Sequence, residues 1–90
     1  MEDHNKKYFV YILKSTATGK FYAGQTYSVE KRLQEHNEGL SRSTKFGRPW
    51  IVVWTKEANS RNEAMEWEKK IKGRGIKRFL DGINHHTFGM

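Results

Sequence analysis

Five side chains in this 90-residue sequence could do chemistry that their segments do not need for folding. Tyr11 and Tyr22 lie on two apolar stretches joined by the turn-prone Ser15–Gly19 (STATG). In a hairpin closed there, each tyrosine sits three residues outside the turn, counted from Lys14 and Gly19, so the phenols can be neighbours on one face. Arg32 and His36 are four residues apart, one helical turn, and share a side. Glu68 follows Ala64 by four residues and precedes Ile71 by three, which sets a carboxylate at the border of an apolar helical stripe. Each has an ordinary explanation. Strand aromatics are commonly core, a buried histidine beside a solvated arginine is common, and a carboxylate at a core border can pair with a lysine or arginine. Taken together they are a phenol pair, a cation, an imidazole and one hard metal ligand, the parts needed for metal-assisted phosphodiester hydrolysis. An arginine aimed at a groove can grip phosphate through two N–H donors and stabilise charge on a transition-state oxygen. A single carboxylate with waters is an ordinary way to hold magnesium beside a substrate phosphate. Spacing alone does not show that the five converge.

The elements that must position them can be read in outline. Tyr8–Lys14 (YFVYILK), apolar and rich in aromatic and β-branched residues, predicts a buried strand, and Lys20–Thr26 (KFYAGQT) its antiparallel return. On that return Phe21, Ala23 and Gln25 face one side and Tyr22, Gly24 and Thr26 the other. Ser28 reads as the cap of a first helix, with Val29, Leu33, His36 and Leu40 along one face and Gly39 near its end. Ser41–Arg48 is a polar, basic loop closed by Pro49. Trp50–Lys56 (WIVVWTK) predicts a third strand, and its unbroken apolar character suggests that both faces are covered. Ser60 and Glu63 form a capping box for a second helix running to about Lys72, with an apolar stripe of Ala64, Trp67 and Ile71. Gly73 and Gly75 are expected to break it, Ile76–Leu80 to form a short last helix, and residues 81–90 to be a loose tail. These elements make one α+β domain over residues 8–80, a small, mainly antiparallel three-stranded sheet with helices packed on it, preceded by an extension over residues 1–7.

Seventeen Lys and Arg against ten Asp and Glu give a formal net charge of +7. That excess on so short a chain favours a polyanionic partner. The basic residues gather in Ser41–Arg48 and Lys69–Arg78, so Arg42, Lys45, Arg48, Lys72 and Arg74 are the candidate nucleic-acid contacts, with Lys20, outside both stretches, added to them. A protein-interaction domain meeting an acidic partner is a further reading of the same charge. Cysteine is absent, which rules out a disulfide framework or thiolate metal site and fits a reducing cytoplasm. No apolar run is long enough to span a bilayer, neither basic stretch reads as a membrane-binding amphipathic helix, and residues 1–7 lack a signal-peptide core. His85–His86 reads as a tail feature and is assigned no metal.

Order and spacing from Tyr8 to Leu80 resemble the GIY-YIG nuclease superfamily, which includes the N-terminal catalytic domain of the excision-repair nuclease and several homing and restriction endonucleases. The short bacterial proteins made of this domain alone are the nearer likeness. Val10-Tyr11-Ile12 stands at the first motif and Tyr22-Ala23-Gly24, followed by Gln25-Thr26, at the second. Val29–Asn37 matches the helix bearing the arginine and histidine, Ser43-Thr44-Lys45 and Arg48-Pro49 the loop of the stand-alone group, and Glu63–Glu68 places Glu68 at the metal-binding glutamate. Lys69–Leu80 is similar to the C-terminal region of that group. The chain departs from the pattern in having Val10 for the first glycine and Ala23 for isoleucine, both backbone or packing positions. Asn84 is no confident match for the polar residue that some members add near the C-terminus.

The resemblance implies a metal-dependent endonuclease acting on DNA, with RNA not excluded, in repair or processing of DNA structures. It implies one Mg²⁺ or Mn²⁺ on Glu68, water activated by Tyr11 with His36 tuning the phenol, Tyr22 positioning water or phosphate, and Arg32 stabilising developing charge. Lys20 would assist at the edge. The competing reading is a binding module that keeps the fold and the basic surface without turnover.

Overall fold

The computed structural model describes residues 7–88, with side chains described through residue 83. Residues 1–6, residues 89–90 and the side chains of Asn84, His85 and His86 lie outside that description, and with them most of the expected N-terminal extension. The elements are β1 (Tyr8–Ser15), β2 (Phe21–Thr26), α1 (Val29–Asn37), a 3₁₀ turn (Lys45–Gly47), β3 (Trp50–Ala58), α2 (Arg61–Arg74) and α3 (Ile76–Phe88). The strands form one antiparallel sheet in the order β2-β1-β3, so the domain is α+β as expected.

The most apolar segment takes the centre. β1 has a neighbour on each side, and Val10, Tyr11, Ile12 and Leu13 are all buried because helices cover both faces. On one face Val10, Ile12 and Ala23 pack with Ala64 and Ile71 of α2, with Trp67, Phe79 and Leu80 around them. On the other, Tyr11, Leu13 and Trp50 pack with Tyr22 and with Val29 and Leu33 of α1. Burial of both faces was expected of Trp50–Lys56 as well, and there the structure differs. β3 is an edge strand, and its Ile51 and Val53 are 47% and 39% exposed. Its apolar run has another cause. Ile12 pairs with Trp54 and Leu13 with Val52, so Val53 is the extra residue of a bulge. A bulge reverses the alternation of a strand. Trp50 and Val52 therefore join the α1 face while Trp54 and Ala58 join the α2 face.

Local chemistry sets the helix ends. The Ser28 hydroxyl accepts from the Lys31 N–H at 3.3 Å, and the Ser60 hydroxyl from the Glu63 N–H at 3.1 Å. Each such cap is worth about 1 kcal/mol. The Glu63 carboxylate reaches back to the Asn59 N–H at 2.7 Å, one residue before the cap itself. α1 stops in a Schellman motif: Gly39, at φ 79°, donates to His36 O, and Leu40 donates to Glu35 O. Leu40 is accordingly past the helix and 69% exposed. The expected break at Gly73 does not occur. α2 runs through it to Arg74, and Gly75, at φ 101°, makes the turn. Nor does the last helix stop at Leu80, for α3 continues to Phe88. Ile76, Phe79, Leu80 and Ile83 have helical spacing, Phe79 sets its ring edge-on 5.0 Å from Trp54, and Asp81 pairs with Lys77 one turn back. Among the described residues no helix is long and apolar enough to cross a membrane.

Candidate active site

Tyr11 and Tyr22 are brought together with a register two residues from the expected one. Tyr11 faces Gly24 across the hairpin and Leu13 faces Tyr22. A shift of two keeps both phenols on the same face, and their ring centroids lie 6.4 Å apart. Gly24 is required by this arrangement. A Cβ at that position would fall 2.7 Å from the Tyr11 oxygen and 2.9 Å from its Cζ, so the bare backbone of β2 is what lets the phenol lie flat against it.

Helix α1 packs on this face and delivers Arg32 and His36. His36 is fully buried and bonded at both nitrogens, Nε2 lying 3.1 Å from the Tyr11 hydroxyl and Nδ1 2.7 Å from the Thr44 hydroxyl. Arg32 can only donate and its hydrogen bond uses the Tyr11 oxygen as acceptor, so the phenol O–H is turned to the Nε2 lone pair and Nδ1–H donates to Thr44 Oγ1. Burial, reinforced by the nearby Arg32 charge, lowers the His36 pKa, which keeps the ring neutral at pH 7. The Tyr11 phenol is pushed the other way. Burial raises its pKa, opposed by a hydrogen bond with Arg32, while Tyr22 and the Glu68 carboxylate raise it further. Tyr11 is thus the meeting point of the Arg32 and Glu68 fields. Partial burial works against the charge on Arg32, but its contacts with Tyr11 and Glu35 more than offset that and hold the guanidinium charged, the Glu35 oxygen lying at 2.7 Å.

Tyr11, His36 and Thr44 form a buried layer, each 1% exposed or less, whereas Tyr22, Arg32 and Glu68 are half-buried at the surface above or beside it. Tyr22 stands edge-on to His36, centroids 4.9 Å apart, and lines a 230 Å³ cleft with Lys20, Thr44 and Trp50. Glu68 lines a separate, larger groove of 530 Å³ with Gln25, Glu66 and Lys69. There its carboxylate pairs with Lys72 at 2.7 Å, the ordinary ion pair that a basic chain can supply.

Of the candidate nucleic-acid contacts, Lys20, Arg42, Lys45 and Arg48 are exposed at or next to the Tyr22 cleft or on its basic loop, and Lys72 lines the Glu68 groove. Arg74 instead reaches over Gly82 of α3 and lines neither. Residues given no role from sequence hold the site's floor. Thr44 is buried, and its carbonyl accepts the Trp50 indole N–H at 2.8 Å. The Asn37 amide brackets the Trp50 backbone, accepting from its N–H at 2.7 Å and donating to its carbonyl at 3.1 Å. A side-chain amide directly after His36 was the signal available for Asn37. Thr44 stood out only as part of the Ser43-Thr44-Lys45 loop, with nothing to mark it as a partner of His36.

Among the described residues no cluster of three or more His, Cys, Asp or Glu could cage a metal ion. The donor set at Glu68 fits a different mode. The Glu68 carboxylate, with Glu66 and the Gln25 amide lining the same groove, suits a hard cation that keeps water and takes the rest of its oxygens from a substrate phosphate. Lys72 occupies that carboxylate in the resting pair and would have to yield.

Residues 7–79 match the family described as the GIY-YIG catalytic domain, a nuclease-type family. A UPF0213 protein of Staphylococcus haemolyticus is 39% identical over 67 residues, 73% of this chain and 80% of its own length. One of Bacillus pumilus is 37% identical over 73 residues, 80% of this chain and 71% of its own. Among solved structures, the solution NMR structure of a UPF0213 protein from Bacillus halodurans superposes with a TM-score of 0.53 at 30% identity, covering 87% of this chain and 83% of that one. The family match spans most of the chain and the solved relative shares its fold, so this chain belongs to the GIY-YIG catalytic domain family.

Proposed function

We propose that this protein is a divalent-metal-dependent endonuclease that hydrolyses phosphodiester bonds in DNA, working in the cytoplasm on DNA structures during their processing or repair. The observation that carries the reading is the buried Tyr11–His36–Thr44 chain with Arg32 against its phenol. A fully satisfied polar line of this kind rigidifies what it touches, and here it holds Arg32 and the Tyr22 face in place.

The geometry supports a division of labour. Tyr22, half-buried on the cleft, is the phenol that meets water or phosphate. Tyr11 is too deeply buried to reach substrate; it fixes Arg32 from beneath while its O–H donates a hydrogen bond to the neutral Nε2 of His36. A phenol alone is a poor base at neutral pH, with a pKa of about 10, so Tyr22 orients the attacking water, whose proton leaves to solvent at the open cleft, while His36 holds Tyr11 in place. Arg32, one N–H on Glu35 and the others unengaged by that bond, grips a phosphate oxygen and stabilises charge in the transition state. Glu68 holds Mg²⁺ or Mn²⁺, which when bound neutralises phosphate charge and assists the leaving oxygen.

The ion pair between Glu68 and Lys72 favours a second reading, a DNA-binding module whose metal site is closed by lysine. Cleavage of labelled duplex, branched and single-stranded DNA, with an RNA strand alongside, separates the two. Tyr22→Phe is expected to bind DNA as the wild type does and to cut at least 100-fold more slowly, on the order of what a positioned proton-transfer group contributes. Equal cutting by the two proteins would remove Tyr22 from the chemistry, and no cutting by either would favour the binding module.

A further inference from the structure

The basic loop presents one side chain that the fold does not explain. Phe46 is 85% exposed, the most exposed of the large hydrophobic residues among those described. Its position is nonetheless built firmly. The 3₁₀ turn Lys45–Gly47 is anchored on one side by buried Thr44, whose carbonyl takes both the Gly47 N–H and the Trp50 indole. On the other side Gly47 lies so close to the Trp50 ring that an added Cβ would overlap it. A loop pinned at both ends holds an aromatic ring out into water, where burial would have been favoured by about 25 cal/mol per Å². The ring borders the 230 Å³ cleft that also holds Tyr22, Trp50 and Lys20. The Lys45 ammonium stands 5.4 Å from its centroid. Ser41–Arg48 contains no acid, and no ion pair among the described residues engages Lys20, Arg42, Lys45 or Arg48.

We propose that Phe46 is a stacking platform for one unpaired nucleobase of a DNA substrate, seated over the Tyr22 cleft, with the basic residues of the loop on the flanking phosphates. A flat ring amid unpaired cations is the combination that single-stranded nucleic acid uses, since every base has a π-face and every linkage a charge. The cleft, about 230 Å³, has room for a single flat base, and stacking on Phe46 needs a base whose face is free of its neighbours in a duplex. The substrate class is therefore DNA with an unpaired nucleotide beside the scissile linkage, such as a tail or branch, in preference to continuous duplex. This deepens the nucleic-acid reading given above and does not depend on turnover.

The test is equilibrium binding in EDTA, so that neither metal nor cleavage enters. Three probes are compared: a duplex with a single-stranded tail, the same duplex with an abasic tail that keeps the phosphates, and a blunt duplex. Wild type is expected to prefer the base-bearing tail over the abasic tail by about 5- to 150-fold, the range for one stacked base. Phe46→Ala should bring that preference to within about twofold while leaving blunt-duplex binding unchanged, and Phe46→Trp should restore it. Equal wild-type affinity for the two tails, a preference that survives Phe46→Ala, or no binding to any probe would overturn the proposal. A protein that shows the preference yet never cuts with metal present would sink the nuclease reading alone.

Discussion

Replacing Gly24 by alanine tests whether the site is built as described, because two effects of opposite sign can be compared. Gly24 does not have a positive φ, so its backbone accepts any residue. On chain entropy alone, alanine should stabilise by about 0.4–1 kcal/mol. The contact opposes this. The added Cβ meets the Tyr11 oxygen at 2.7 Å and Cζ at 2.9 Å, both on a ring that is fully buried. Restoring ordinary separation of about 3.5 Å requires a displacement of roughly 0.6–0.8 Å. The Tyr11–His36 bond begins at 3.1 Å, near the long end of the hydrogen-bonding range, and a comparable displacement would break it. Overpacking costs about 1–3 kcal/mol, and a buried imidazole left without its partner about 1–3 more. The net expectation for Gly24→Ala is destabilisation by about 1–5 kcal/mol, or a melting temperature lower by about 5–30 °C at this chain length. Urea denaturation with an unchanged m-value is the assay. A variant within about 0.5 kcal/mol of wild type, the range of an inert surface change, would refute the close approach of Tyr11 to β2.

Other outcomes follow from the same network. Thr44→Val removes the acceptor for His36 Nδ1–H, and thermal melting should show a loss of about 1–3 kcal/mol; an unchanged melting temperature would mean that Nδ1 finds no need of Thr44. The folded-state pKa of His36 lies below its unfolded value of about 6.5, so the native state binds fewer protons than the unfolded chain once the pH drops below that value. Stability from this group is full above pH 6.5 and lost as the pH falls toward the folded pKa, and wild type should lose more stability than His36→Gln between about pH 7 and 5. Parallel pH profiles for the two proteins would rule out that linkage. Glu68→Gln breaks a surface i,i+4 pair with Lys72 and nothing else that is hydrogen-bonded, so unfolding should shift by no more than about 0.5 kcal/mol.

Most of what positions the site could be read from the chain because it is local. Ser28 and Ser60 cap helices through bonds to residues three further on, and Gly39 ends α1 through its own φ. Such interactions are carried in adjacent residues. Facing was legible too, since a period of two places Tyr11 and Tyr22 on one side of the hairpin even when the register is off by two. What escaped was set by tertiary packing. The exposed half of β3 was hidden because a bulge at Val53 lets one apolar run serve two faces, whereas coverage depends on where helices land. Gly73 costs a helix about 1 kcal/mol, and packing of Ala64, Trp67 and Ile71 against the sheet overrides that. Asp81 and Gly82 obscured the spacing from Ile76 to Ile83 that carries α3 onward. The role of Thr44 was out of reach because a threonine in a polar loop gains its meaning only when that loop folds beneath α1. The resting partner of Glu68 was foreseeable as a class, and only geometry identifies it as Lys72.

Metal-dependent phosphodiester cleavage at Glu68 stands or falls on a single comparison. Single-turnover cleavage of tailed and duplex DNA is followed with and without Mg²⁺ or Mn²⁺, wild type beside Glu68→Gln, with DNA affinity measured for both. Wild type is expected to cut only with metal, and the variant to lose cutting while it still folds and binds DNA. A folded Glu68→Gln protein that cuts at the wild-type rate, or a wild type that binds DNA and never cuts with either ion, would contradict the proposed chemistry.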